Sequence, residues 1–167
     1  MSLAFIGLGS NLGDGAANIL EAWQRLGQDR QITGLSISSP FRSAPLGMDS
    51  AQWFTNAVAV AETRLQPEAL LELMLSIETD MGRDRSQGMD RTIDLDILYY
   101  DDLVISSERL DLPHPEIRNR MFVLAPMEEL APDHLHPVYQ QSTTTMRRGS
   151  ACQAGQAIEK TTWPETA

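Results

Sequence analysis

Lysine is nearly absent from this chain, with Lys160 the single example among 167 residues. That excludes a phosphate-loop lysine and a Schiff-base lysine from the body of the fold. Cysteine is as scarce: the lone Cys152 rules out an internal disulfide and permits a reducing compartment. No apolar run approaches the length of a membrane span, so no membrane partner is expected. Positive charge is short overall. Thirteen Lys and Arg stand against 23 Asp and Glu, a net charge of −10, without the basic stripe that would neutralise nucleic-acid phosphates. No serine nucleophile elbow and no kinase signature set occurs. The first residues, Leu3 to Leu8, read directly as a strand rather than as a signal peptide, which makes the cytoplasm the expected location.

What the chain does have is an acid pair in Arg91-Thr92-Ile93-Asp94-Leu95-Asp96-Ile97-Leu98. Side chains alternate between faces along a strand, so Ile93, Leu95 and Ile97 point one way and Asp94 and Asp96 the other. The two carboxylates then lie roughly 7 Å apart on a rigid element. Such a pair ionises comfortably when a cation lies between its members. Magnesium is the hard ion that bridges carboxylates to substrate phosphates. The plainer reading is a strand at a sheet surface with two solvated aspartates, and spacing alone leaves both open. The basic residues are almost all arginines, and Arg83, Arg85, Arg91, Arg109, Arg118 and Arg120 fall in one stretch. Arginine suits bidentate phosphate binding. Surface pairing with acids would explain any one of the six, less readily all of them.

Length allows one domain with a proper core and is too short for two substantial ones. Strand-like segments run from Leu3 to Leu8, Ile32 to Arg42, Phe54 to Ala61 and Ile93 to Tyr100. A helix is predicted from about Gly15 to Gln28, capped by Asp14, with Ile19, Leu20, Trp23 and Leu26 at helical spacing. A second begins at Pro67 and places Leu70, Leu73, Met74, Ile77 and Met81 on one face. Strand, helix, strand, strand, helix, strand is the ferredoxin-like α+β order, βαββαβ, with a mainly antiparallel sheet and helices on one side. Residues 1–137 form the expected domain. Beyond Pro137 the chain is rich in Gln, Ser and Thr and loses periodicity, so 138–167 reads as a peripheral, partly disordered tail.

Other residues carry weaker signals. Gly7-Leu8-Gly9 does not continue into a dinucleotide fingerprint. His134 and His136 read as a polar loop rather than a metal site, lacking further ligands nearby. His114, held between Pro113 and Pro115 near the arginines, suits a phosphate or base contact or a structural hydrogen bond. Asn56 on a strand fits an amide that recognises a heterocycle, or an ordinary strand-end asparagine.

Five segments in order resemble the 6-hydroxymethyl-7,8-dihydropterin pyrophosphokinases. They are Gly9-Ser10-Asn11-Leu12, Arg42-Ser43-Ala44-Pro45-Leu46-Gly47, Phe54-Thr55-Asn56-Ala57, the Arg91 to Leu98 run, and Pro113-His114-Pro115 followed by Arg120-Met121-Phe122-Val123-Leu124. The resemblance implies a ferredoxin-like three-layer α/β/α fold, in a monomer that transfers the pyrophosphoryl group of ATP to the pterin hydroxymethyl and releases AMP. By position, Asp94 and Asp96 would hold two magnesium ions, and Arg83 and Arg91 would be the catalytic arginines. Glu78, Arg83, Arg85, Arg91, Ile97, Arg109, His114 and Arg120 match ATP-contacting positions. The pterin would stack between Phe54 and Phe122 and meet Asn56, Asp94 and groups near Ser43, Ala44 and Leu46. Small-molecule substrates, ATP and the pterin, are the implied partners. The loop before Arg91 departs from the family: Ser86-Gln87-Gly88-Met89-Asp90 is short and lacks a common tryptophan. Asp111 and Leu75 stand at family threonine and glutamine positions. Two other readings compete: an Asp-x-Asp nucleotide-sugar transferase, for which the chain looks too small, and a non-catalytic ferredoxin-like nucleotide-binding module.

Overall fold

Leu3, Ala4, Phe5, Ile6 and Leu8 supply the apolar side chains of the first strand, β1 (Ser2–Ser10), and alternation decides which face each serves. Ala4, Ile6 and Leu8 enter one hydrophobic cluster, while Phe5 enters another on the opposite side of the sheet. The computed structural model describes residues 1–44, 53–82, 91–149 and 156–165. After β1 come α1 (Gly15–Gly27), β2 (Ile32–Ile37), β3 (Phe41–Ser43), β4 (Phe54–Thr63), α2 (Pro67–Asp80) and β5 (Asp94–Tyr100). Then follow the short β6 (Ile105–Ser106) and β7 (Asp111–Leu112), a 3-10 turn at Ile117–Asn119, α3 (Met121–Leu130), α4 (Thr143–Arg148) and β8 (Ile158–Lys160).

The six-stranded sheet runs β5-β1-β4-β3-β8, with β2 also on β4, and every pairing in it is antiparallel. Counting β2 and β3 as one strand gives the ferredoxin-like βαββαβ core in its expected order. The single strand predicted over Ile32 to Arg42 is in fact two. Pro40 has no amide proton to give to a ladder, and between the halves Ser38 bridges to Val58 through its backbone nitrogen and its hydroxyl, at 2.9 and 3.0 Å.

Both predicted helices form with the expected starts. The Asp14 side chain accepts from the Ala17 nitrogen at 3.1 Å, and Pro67 opens α2. Gly82, at φ +90, takes the left-handed conformation just past α2 that a side chain would resist. Ile19, Ala22 and Leu26 of α1 and Leu70, Met74 and Ile77 of α2 pack on one face of the sheet. Helices on one side only is the part of the strand-order expectation that fails. Leu124 and Met127 of α3 and Met146 of α4 cover the other face, giving three layers.

The expectation of a peripheral tail fails for two stretches after Pro137. Met146 of α4 is 2% exposed, and β8 extends the sheet beside β3, with Ser43 opposite Ile158 and Phe41 opposite Lys160. Trp163 donates its ring N–H to the Ser38 carbonyl at 3.1 Å. Among the described residues no helix is long and apolar enough to cross a membrane.

Candidate active site

Two glycines open the floor of the site. Gly7 and Gly9 on β1 lie opposite Asp96 and Asp94 on β5 in the antiparallel register. On its other edge, β1 sets Gly9 against Asn56 of β4. A Cβ at Gly9 would come within 3.1 Å of the Asn56 Oδ1, so the bare backbone leaves room for something flat to approach. Above this floor is a cavity of about 270 Å³, lined among others by Ser43, Ala44, Phe54, Asn56, Arg91, Asp94, Asp96, Arg120 and Phe122.

One half of the cavity is charged. Asp94 and Asp96 share a face, as the alternation predicts, while Leu95 and Ile97 are buried in the core on the α1 and α2 side. An Arg91 Nη1 lies 3.0 Å from Asp94 Oδ2. Arg91 is itself pinned by the buried Asn11, whose Oδ1 accepts the Arg91 N–H at 2.7 Å and whose own N–H donates to the Arg91 carbonyl at 3.1 Å. Burial in the cleft, with the Asp94 charge adding to it, pushes the Asp96 carboxyl up to about 7 against partial relief from Arg120. Some 40% of the Asp96 side chain stays open to the cleft, so a ligand can reach it. His114 Nε2 stands 4.0 Å from Asp96 Oδ2. Burial, then the Arg120 charge, holds the His114 imidazole below its ordinary range, and its Nδ1 accepts from the Glu116 nitrogen at 3.1 Å.

The other half is apolar with an amide edge. Phe54 at the start of β4 and Phe122 in the first turn of α3 both line the space, each partly exposed. Asn56 is buried and donates from Nδ2 to the Ser43 hydroxyl at 2.8 Å, which fixes the orientation of the amide. The Arg120 guanidinium lies 5.5 Å from the Phe122 ring centre, so one short segment contributes to both halves.

Glu78 serves from behind: buried on α2, its Oε2 accepts the Leu95 N–H at 2.9 Å on the outer edge of β5. Among the described residues, the expected ATP contacts that line the cavity are Arg91 and Arg120; Ile97 and Arg109 are turned away from it. The Ile97 side chain is 3% exposed in the core, on the face away from the acid pair, so it does not meet a ligand there. Arg109 is an exposed side chain paired with Glu72 of α2. Arg83, Arg85 and Leu46 lie outside the described residues. Gly7, Asn11, Leu98 and Asn119 carry no site role in the sequence reading. Gly7 and Gly9 were visible as a same-face pair, had the alternation used for the aspartates been applied to β1.

The chain matches the family model for 7,8-dihydro-6-hydroxymethylpterin-pyrophosphokinase over residues 5–132. A Methylorubrum extorquens protein named 2-amino-4-hydroxy-6-hydroxymethyldihydropteridine pyrophosphokinase is 43% identical over 134 residues, 80% of this chain and 85% of its own length. A Haemophilus influenzae protein of the same name is 38% identical over 149 residues, covering 89% of this chain and 93% of that one. The crystal structure of wild-type Plasmodium falciparum HPPK-DHPS with SDX-DHP superposes with a TM-score of 0.69 at 15% identity, over 87% of this chain. That likeness speaks to fold alone, and this chain spans only 44% of that longer protein. With the matched segment running from β1 through α3 and two relatives near 40% identity along most of their own length, the chain belongs to the 7,8-dihydro-6-hydroxymethylpterin-pyrophosphokinase family.

Proposed function

We propose that this protein transfers the pyrophosphoryl group of ATP to the hydroxymethyl oxygen of 6-hydroxymethyl-7,8-dihydropterin, a step of folate biosynthesis. The observation that carries this reading is the two-part cavity, in which Asp94 and Asp96 face the same space as the Phe54, Phe122 and Asn56 cluster. The hydroxyl oxygen attacks the β-phosphorus, the bond from that phosphorus to the α,β-bridging oxygen breaks, AMP leaves with the electron pair, and the hydroxyl proton is released to water. No covalent nucleophile is needed, because positioning and charge neutralisation supply most of the acceleration in such transfers.

The residues fit magnesium as the metal. The donors are all carboxylate oxygens on one face, and two suffice for an ion that keeps several waters and takes phosphate oxygens. The raised Asp96 carboxyl fits as well, since a nearby cation stabilises its charged form in place of the proton. In this reading Asp94 and Asp96 would hold two magnesium ions, which when bound neutralise phosphate charge. Arg91, Arg120 and His114 face the phosphates from the protein, and Arg83 and Arg85 join them by their place in the sequence. Glu78 holds the edge of β5 straight, and Arg109 reaches ATP only by leaving Glu72. The pterin stacks between Phe54 and Phe122, with its edge read by Asn56 and by main-chain groups near Ser43, Ala44 and Leu46. Scarce cysteine and the supply of ATP support a cytoplasmic location, and the enzyme is taken as a monomer.

The test is AMP release from ATP, magnesium and 6-hydroxymethyl-7,8-dihydropterin. Absence of AMP with purified protein sinks the reading. Calorimetry with a non-hydrolysable ATP analogue, with and without magnesium and then with pterin, reads the order and metal dependence of binding.

A further inference from the structure

The N-terminus of α3 has an unusual cap. Its N-cap residue is Arg120, which makes no side-chain capping bond, so the first amides of the helix need a partner from elsewhere. Gln156, 35 residues later, supplies one: its Oε1 accepts the Met121 N–H at 2.8 Å. The other end of the same amide donates from Nε2 to the Asn119 carbonyl at 2.7 Å. One side chain thus holds both neighbours of Arg120, one residue before Phe122.

The residues that follow bind the opposite wall. The Ala157 carbonyl accepts the Ala44 N–H at 3.3 Å, and Ile158 pairs with Ser43 in the antiparallel register. Ser43 in turn receives the Asn56 amide at 2.8 Å. Three consecutive residues therefore link the Asn119–Met121 segment to the Ser43–Ala44 strand end. All three lie beyond residue 132, where the match to the family model stops.

We propose that Gln156 is a positioning residue for the pterin site. It sets the spacing between Phe122 and the Ser43–Asn56 wall by tying the entry to α3 to the strand edge that β8 completes. This rests on the pterin reading given above. A stacking slot for a flat ring demands a fixed gap, because dispersion is lost steeply when surfaces part by even half an ångström. Asn119 is also held to Glu116, by its N–H at 3.1 Å and its side-chain amide at 3.3 Å, and the Met121 side chain is anchored in the core, so removal of both Gln156 bonds loosens the entry to α3 and shifts Phe122 while the core beneath α3 stays packed.

The experiment compares the full chain with Gln156→Leu, Gln156→Glu and Lys160→Ala. Gln156→Leu keeps the bulk and removes both bonds. It is expected to raise the KM for 6-hydroxymethyl-7,8-dihydropterin by roughly tenfold, the scale of one to two lost hydrogen bonds, with the thermal midpoint close to that of the parent. Gln156→Glu keeps the acceptor at Met121 and is expected to recover part of the loss. Lys160→Ala, which removes an exposed ion pair with Glu129, is expected to leave the pterin KM unchanged. A Gln156→Leu protein with the parent KM, or one whose loss only follows its unfolded fraction, overturns the proposal. Amide hydrogen exchange over 119–122 reads the tether without ligand: faster exchange in Gln156→Leu supports it, and equal rates overturn it. A parent that binds no pterin overturns the functional reading instead, and the exchange result still decides the tether.

Discussion

Asp94 and Asp96 at one end of β5 and Leu98 and Tyr99 at the other serve the same side of the sheet, yet they lead opposite lives. Leu98 and Tyr99 both enter the cluster under α3, because the pairing of β5 with β1 shifts register between Phe5 and Ile6. There even a polar atom is sealed in: the Tyr99 hydroxyl is buried with no hydrogen-bond partner among the described residues, and burial holds it well above the ordinary phenol range. Four residues earlier, the carboxylates stand in an open cleft over glycines. The covering makes the difference. The rings of Phe5, His134 and His136 pack on Tyr99, so that end of the strand stabilises the fold, while the Asp94–Asp96 end lines an open cavity and presents chemistry.

The sharpest way to break that comparison is Asp96→Asn. Loss of one charge from the acid pair is expected to lower pyrophosphoryl transfer by about a thousandfold, measured as AMP release, without loss of stability. The sign follows from the raised carboxyl. Between about pH 4 and pH 7 the folded protein keeps the Asp96 proton that the unfolded chain has released, so stability falls as pH rises through that window. Asparagine removes this slope, and urea denaturation at pH 8 should find Asp96→Asn at least as stable as the parent. A variant markedly less stable at pH 8 would mean that Asp96 is a structural acid.

Met127→Ala attacks the covered end. This side chain is fully buried under α3, and its truncation is expected to cost about 2 to 5 kcal/mol in urea denaturation. The pterin KM of the folded fraction should hardly change. If catalysis collapsed with the core, the two ends of β5 would not be separable.

Gly9→Ala makes the gentlest test. Its new methyl meets the Asn56 Oδ1 at 3.1 Å, so the amide must give by a few tenths of an ångström. We expect the pterin KM to rise about fivefold with stability nearly unaffected, read by steady-state kinetics beside a thermal melt. An unchanged KM would remove Asn56 from the recognition edge.

Local chemistry made much of this readable. Periodicity located α1 and α2, Asp14 and Pro67 marked their starts, and alternation put Asp94 and Asp96 on one face. Gly7-Leu8-Gly9 reads locally as a failed dinucleotide fingerprint, and its role as a same-face pair on a strand depends on the register with β5. Reading Ile32 to Arg42 as one strand overlooked that Pro40 cannot donate to its neighbour. The Ile97 side chain and Arg109 lie away from the cavity for a different reason. Position in a motif does not say which side of a sheet a side chain takes, nor which acid reaches an arginine first.

By itself the chain determined the carboxylate pair, its strand, the paucity of lysine and the starts of α1 and α2, since each depends on neighbours within a few residues. Only the tertiary structure decided that Asn11 holds Arg91 across 80 residues, that the first turn of α3 shares a cavity with the acid pair, and that Gln156 caps α3. Those bonds join groups far apart along the backbone, and their energies exist only once packing has brought the partners within hydrogen-bonding distance.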